Sequence, residues 1–396
     1  MQDQSVCHCA DERDAIRNVQ QAVTTILGQI GDLVPHPKAL VHLKDYVIGL
    51  LSPIERKNGW QLAEQAGYSH PRGIQRVLSR YDWDVDATRD TLRAQVVEYL
   101  GSPDGVLVID ETGFPKKGIK SVGVARQYSG TLGKIDNCQI GVFLGYAAPT
   151  GAALIDRALF IPKEWMADPD RCATIGIPTT TAHQPKTALA RDMVARALDA
   201  DVPTKWVVAD ETYGSDGQLR QHLEARCQAY VLAVRTNQRT TTWPPFGPPA
   251  QVNIVDAIAA VATDRWVRQS CGEGEQGPRV YDWLRCPVRP AIRPGWQHAI
   301  LARRSISQPD EIAYYLVYAR DDETLEEIVL AAGTRWRIEE LFERGKECVG
   351  LDQYEVRSWQ GWYRHVTLAC VALLALVVGT ATTIKKGDLL APSMSR

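Results

Sequence analysis

The chain has 396 residues, 45% hydrophobic and 23% charged, with a formal net charge of −2 and a pI near 6.5. These proportions belong to an ordinary soluble globular protein with room for two or three domains. They lack the basic footprint of a nucleic-acid binder that works by charge alone, although carboxylates meant for metal ions lower net charge without weakening a metal-bound complex. Nine cysteines show no disulfide framework. Cys7 and Cys9 flank His8, but no second ligand pair stands at zinc spacing, so a solvated tail is expected. Without a signal peptide, free thiols and a cytoplasmic location are expected. The apolar run from Val366 to Gly379 is too short for a bilayer and predicts a buried core helix, with no membrane role.

In chain order, residues 1–37 read as a flexible lead-in, with an amphipathic helix near 12–30 closed by Pro35 and Pro37. Residues 38–103 predict short helices joined by tight turns. One is ended by Gly67, one follows Pro71 with Ile74, Val77 and Leu78 on a shared face, and one runs from Asp86 to Leu100. Such a group resembles a helix-turn-helix DNA-binding unit, and a plain all-helical domain is the alternative. Residues 101–105, Gly-Ser-Pro-Asp-Gly, form a linker.

Then comes VLVIDETGF at 106–114, with a near-copy, WVVADETYG, at 206–214. Each is an apolar run ending in Asp-Glu-Thr, the pattern of a strand buried on both faces. Such strands deliver the next residue to the carboxyl edge of a sheet, where open α/β folds place their chemistry. Asp110 and Asp210 are thereby expected side by side, suited to holding hard divalent cations. The competing reading makes both of them helix N-caps. Glu111 and Glu211 are taken as structural, since strand alternation turns them away. Between the copies, GFPKKGIK forms a basic turn. It is followed by an antiparallel pair, a strand ending at Pro162 and a helix over 186–200. After the second copy come a helix at 215–226 and the strand AYVLAVR. The order is that of a ribonuclease-H-like α/β sheet, a meander followed by α crossovers. This core is expected over 104–235 and 311–380. Proline-broken residues 236–310, holding Trp243, Trp266, Trp283 and Trp296, form a β-rich insertion, and 381–396 a tail.

RWRIEELFERGK, inside one long helix ending at Gly350, is the most specific segment. Arg335 and Glu339 are four residues apart and Lys346 seven further on, so all three share a helix face. A salt-bridged exposed helix is the plain alternative. With ERKNGWQLAEQAG, the DETGFPKKG–GVARQYSG run, CQIGVFLGYA and GLDQYEVRSWQGWYRHVTL, the chain resembles bacterial insertion-sequence transposases of the DDE class. The likeness is to the group named after insertion sequence four. It covers nearly the whole chain.

The resemblance implies Asp110, Asp210 and Glu339 as catalytic, metal-holding carboxylates, with Glu340 and Glu343 as nearby competitors for the third. Of the group's Tyr-Arg-Glu-Lys signature, Arg335, Glu339 and Lys346 match the last three members, and Ala332 stands at the tyrosine position. Two Mg²⁺ ions roughly 3.5–4 Å apart, replaceable by Mn²⁺, are implied, serving in-line phosphoryl transfer by water and then by a DNA 3′-hydroxyl. Arg335 and Lys346 would grip phosphates, and Lys116, Lys117, Lys120 and Arg126 would track the backbone of double-stranded DNA. Trp283 or Trp296 would stack on a flipped base during a hairpin step. Transposon ends, target DNA and a homodimer are the implied partners. The rival readings are a domesticated DNA-binding protein, a ribonuclease-H-like nuclease, and a small-molecule α/β enzyme. A missing Gly-rich phosphate loop after either Asp-Glu-Thr speaks against the last.

Overall fold

The structure is a computed structural model that describes residues 3–130, 133–242, 248–274, 277–291 and 293–390. Trp243 and residues 391–396 lie outside these, as do the side chains of Cys7, His8, Cys9 and 381–390. Five helices come first: α1 (Asp3–Gly31), α2 (Pro37–Leu51), α3 (Gly59–Gln65), α4 (Arg72–Ser79) and α5 (Val85–Leu100). Strands β1 (Val106–Pro115), β2 (Ala125–Ser129), β3 (Lys134–Ala148) and β4 (Gly151–Phe160) follow, then α6 (Lys163–Met166), α7 (Pro169–Ile175) and α8 (Lys186–Asp199). Next are β5 (Trp206–Ala209), α9 (Glu211–Gly214), α10 (Gly217–Ala225), β6 (Ala229–Val234), β7 (Arg239–Thr242), β8 (Ala250–Asn253) and α11 (Ile254–Ala259). The chain closes with β9 (Val267–Gly274), β10 (Gly277–Pro290), β11 (Trp296–Arg304), β12 (Ile312–Arg320), α12 (Leu325–Thr334), α13 (Trp336–Val349) and α14 (Trp359–Leu390). Side-chain oxygens start many of the helices. Asn58, Asp84, Asp168 and Asp216 cap α3, α5, α7 and α10, and Thr324 forms a capping box with Glu327 on α12.

The chain divides into two compact units. The first holds residues 1–101, 111–184 and 340–396, the second 102–110 and 185–339. In the first unit, α1 packs along α14, which also meets α2, α4, α5 and β4. The segment expected as a flexible lead-in is therefore a docked helix. Its Ala22, Val23, Ile26, Leu27 and Ile30 recur at helical spacing and are buried together. Helix α14 also exceeds expectation. Its stretch Trp359–Thr380 is long and apolar enough by length and composition to cross a membrane, yet 78% of its most apolar window is buried inside the protein. The polar residues that seemed to end the run are absorbed. Arg364 donates to the Val77 and Trp83 carbonyls, and His365 sits between the Tyr46 hydroxyl and the Gly350 carbonyl. The helix continues to Leu390, so the expected tail begins as helix. Strands β2, β3 and β4 form an antiparallel meander in this unit, beside residues 111–115 of β1.

The second unit is a mixed sheet in the order β1-β5-β6-β12-β11-β10-β9. The first three strands are parallel, as continuous apolar runs require, and the rest antiparallel. Helix α12 lies against β5, β6 and β9, and α9 and α10 against β6. The expected insertion is a continuation of this sheet, because β11 pairs with β12 along nine residues and β12 with β6. Its core joins Ile254 and Ile258 of α11 to Leu284, Ile300 and Tyr314. The fold is mixed α/β and ribonuclease-H-like, as the order of elements predicts.

Candidate active site

β1 and β5 pair in parallel with Ile109 opposite Ala209. Asp110 and Asp210 are the next residue on each, so their backbones stand at one level where the pairing of these neighbouring strands ends, about 4.8 Å apart. Beyond this point the two copies differ. β1 runs on through Glu111 to Pro115, whereas β5 stops and Asp210 caps α9, accepting from Thr212 N at 2.9 Å and Tyr213 N at 3.3 Å. The cap reading thus holds for Asp210 and not for Asp110.

The expected long helix is broken into α12 and α13 at Arg335. The cause lies two residues earlier. Gly333 packs so closely on the Cys271 carbonyl of β9 that no Cβ fits, and its own carbonyl accepts from the Arg279 guanidinium at 3.0 Å as well as from the Arg335 N–H two residues on. The break sets Arg335 between two carboxylates. Its guanidinium donates to Asp110 Oδ2 at 3.2 Å and to Glu339 Oε1 at 2.6 Å. Burial lowers the guanidinium's pKa, but Glu339 and Asp110 outweigh it and the net direction is upward. Asp110, Arg335 and Glu339 therefore form one charge cluster, with the Asp110 side chain 13% exposed. Ala332, at the signature's tyrosine position, is buried.

Further along α13, Lys346 donates to the Thr112 hydroxyl at 2.8 Å, and burial lowers its pKa against the pull of Asp352. Of the basic turn, Lys117, Lys120 and Arg126 are exposed. Lys116 is not a backbone tracker as placed. Its ammonium lies 3.6 Å from the Tyr354 ring centroid and 3.4 Å from that residue's carbonyl, and burial pushes its pKa down to about 8. The tryptophans chosen for base stacking also fare differently. Trp283 is wholly buried beside Tyr281 and Tyr315, its indole N–H donating to the Gln269 carbonyl, so it is core. Trp296 is half-buried and already stacked on Tyr318 at 4.7 Å. The exposed aromatic near the cluster is Trp336, 40% exposed and next to Arg335. Its place in the sequence gives no sign of this, since the spacing of Trp336 does not separate it from Ile338 and Leu341, which are buried.

A family model described as "DDE superfamily endonuclease" matches residues 29–253, and one described as "Transposase DDE domain" matches residues 167–375. The chain belongs to the DDE family of endonucleases and transposases. Within this DDE chain, 212 residues are 28% identical to a protein of Microchaete diplosiphon named "Probable transposase for insertion sequence element IS701", covering 52% of this chain and 51% of that one. The chain thus spans about half the length of the curated relative it matches. DDE proteins as a family act with divalent metals. The donor set fits such an ion by chemistry, since Asp110, Asp210 and Glu339 offer only hard oxygens. By geometry Arg335 occupies part of that set, and no group of three or more His, Cys, Asp or Glu among the described residues is gathered closely enough to hold an ion.

Proposed function

We propose that the protein is an insertion-sequence transposase that binds the inverted repeats of its element, cuts DNA at the ends and joins them to a target. The observation that supports this most is the matched register of Asp110 and Asp210 on parallel strands, with Asp110 tied through Arg335 to Glu339. These three are the catalytic carboxylates of this reading and would hold Mg²⁺ or Mn²⁺. A bound pair of divalent ions supplies charge neutralisation at the attacking and leaving oxygens. The protein's share is positioning. Arg335 is suited to turn its two donors from carboxylates to the phosphate beside the scissile bond, and Lys346 adds a point charge. Asp210 is oriented by the α9 amides, which fix one of its oxygens. The hairpin route remains part of the proposal, with Trp336, exposed and next in sequence to Arg335, replacing Trp283 and Trp296 as the aromatic that stacks on the flipped base.

For recognition of the ends we assign the helical region, 38–103. Helix α4 buries Ile74, Val77 and Leu78 and exposes Arg72, Gln75, Arg76 and, just past its end, Arg80, the division of labour a DNA-reading helix needs. The catalytic core is assigned to 104–235 and 311–380. Action in the cytoplasm as a dimer on paired ends belongs to the same reading.

The test uses the DNA flanking the gene, incubated with wild type or Asp210→Asn in Mg²⁺ and resolved on native and denaturing gels. Metal-dependent cuts at the element's ends, lost in the variant, are expected. Specific binding without cutting would replace this reading with that of a DNA-binding protein derived from a transposase. Cutting without joining of a 3′-hydroxyl end would replace it with that of a nuclease.

A further inference from the structure

The first unit contains a groove of about 810 Å³ that lies apart from the carboxylate cluster and takes in only Lys120 and Arg126 of the residues expected to contact DNA. Its rim carries Lys120, Arg126, Arg171 and Arg357, and its floor is apolar, with Trp165 beneath and Ile119, 72% exposed, at the lip. Glu164 is the single acidic residue among those lining it. Four cations against one carboxylate among the lining residues give the groove a positive balance, in a chain whose net charge is −2.

We propose that this groove holds an unpaired DNA strand, a reading that rests on the transposase function and adds to it where a melted or flanking strand runs. Three features select a single strand over a duplex. The volume lies within the roughly 300–1,000 Å³ range of recesses that enclose small organic groups, and the convex phosphate surface of a duplex cannot reach an apolar floor. Trp165 is fixed by its indole N–H on the Val124 carbonyl at 2.9 Å, and the Arg171 guanidinium lies over its ring, 3.4 Å from the centroid. Arg171 is itself pinned by a 2.8 Å bond to the Ile119 carbonyl. A guanidinium plane held on an aromatic ring offers its outer face to a nucleobase, which stacks without regard to sequence. Arg126 and Arg357, both exposed, stand on the rim where phosphates of the same strand would pass.

The experiment measures fluorescence anisotropy of a labelled single strand of about 12 nucleotides, within the site sizes such grooves take, and of its duplex. Full-length wild type is compared with the Arg126→Ala/Arg357→Ala double variant in EDTA, where no cutting occurs. Single-strand affinity should fall about tenfold and its salt slope by about 1.4, at roughly 0.7 per lost phosphate contact, while duplex affinity falls by less than about twofold. Equal losses on both substrates would overturn the proposal in favour of a duplex-backbone track, and no loss on either would reduce the groove to a solvated basic edge. Should the double variant unfold, Lys120→Ala and Arg126→Ala singly must each lower the single-strand slope by about 0.7, or the proposal fails. Wild type that cuts element ends while the variants bind single strands normally sinks the groove alone. Single-strand binding that depends on these arginines, without any cutting, sinks the transposase reading alone.

Discussion

Strands β1 and β5 carry nearly the same sequence, yet their Asp-Glu-Thr ends adopt different structures. After Asp110 the chain stays extended. Thr112, Gly113 and Phe114 are buried, Gly113 close against Ser129 and Phe114 edge-on to Phe143 and Tyr354. After Asp210 the chain turns into α9, because Gly214 must lie on the Ala233 carbonyl of β6, so close that a Cβ would collide with it. The residues that follow the motif, and the element waiting to receive them, decide the conformation. As a result one aspartate faces an arginine and the other its own helix's amides, although both stand at one level where the β1–β5 pairing ends.

The largest effect expected from this contrast is on catalysis. Asp110→Asn and Asp210→Asn should each lower end cleavage by about a thousandfold, the several kcal/mol of charge stabilisation a metal-holding carboxylate secures. Equal losses would show that the two different surroundings serve one site. A single-turnover cleavage assay in which Asp110→Asn keeps more than about a tenth of wild-type activity would break the equivalence.

The next effect is on stability and sets the two glycines against each other. Gly214→Ala meets backbone and should destabilise by about 3 kcal/mol or more. Gly113→Ala meets mainly the Ser129 hydroxyl, a side chain able to rotate, and should lose about 1–2 kcal/mol. Urea unfolding of both variants checks the order. A Gly113→Ala loss as large as that of Gly214→Ala would mean that the continuing strand is held as tightly as the turn.

The same contrast shows what the sequence carries and what it hides. Buried parallel strands and the two aspartates at their ends are legible because a continuous apolar run has few other uses. Ile74, Val77 and Leu78 are legible for the same reason, being at helical spacing. The kink at Arg335 is not, since Leu325–Val349 reads as one uninterrupted helix and only the approach of β9 to Gly333 breaks it. Nor are the fates of Lys116 and Trp283. Their neighbours in space, Tyr354 and Gln269, come from distant or cross-strand segments, and a list of basic or aromatic residues cannot show which of them is covered. Arg171 and Arg357 of the groove give no sequence signal at all, because each lies far along the chain from the basic turn they join.

Smaller effects separate the two roles of Asp210. As an N-cap it is replaceable by Asn, which caps equally well, so Asp210→Asn should leave stability within a few tenths of a kcal/mol of wild type. Asp210→Ala loses the cap as well as the charge, and about 1 kcal/mol of stability with it. Calorimetry on the two variants, both expected to be inactive, tells capping from catalysis. If Asn destabilises as much as Ala, the carboxylate's charge, and not its hydrogen bonds to Thr212 and Tyr213, holds α9 in place.

The smallest expected effect concerns Asp110, whose partner is a cation rather than a pair of amides. Arg335 competes with any divalent ion for Asp110 and Glu339, but the cluster is partly exposed, so the competition is weak. Arg335→Met should therefore tighten Mn²⁺ binding only about threefold, well under 1 kcal/mol, as read by the loss of the free Mn²⁺ paramagnetic resonance signal on titration. The readout is independent of cleavage, which the variant should lose through its missing phosphate contact. Weaker Mn²⁺ binding in Arg335→Met would reverse the assignment, because Arg335 would then be holding the carboxylates in place for the ion.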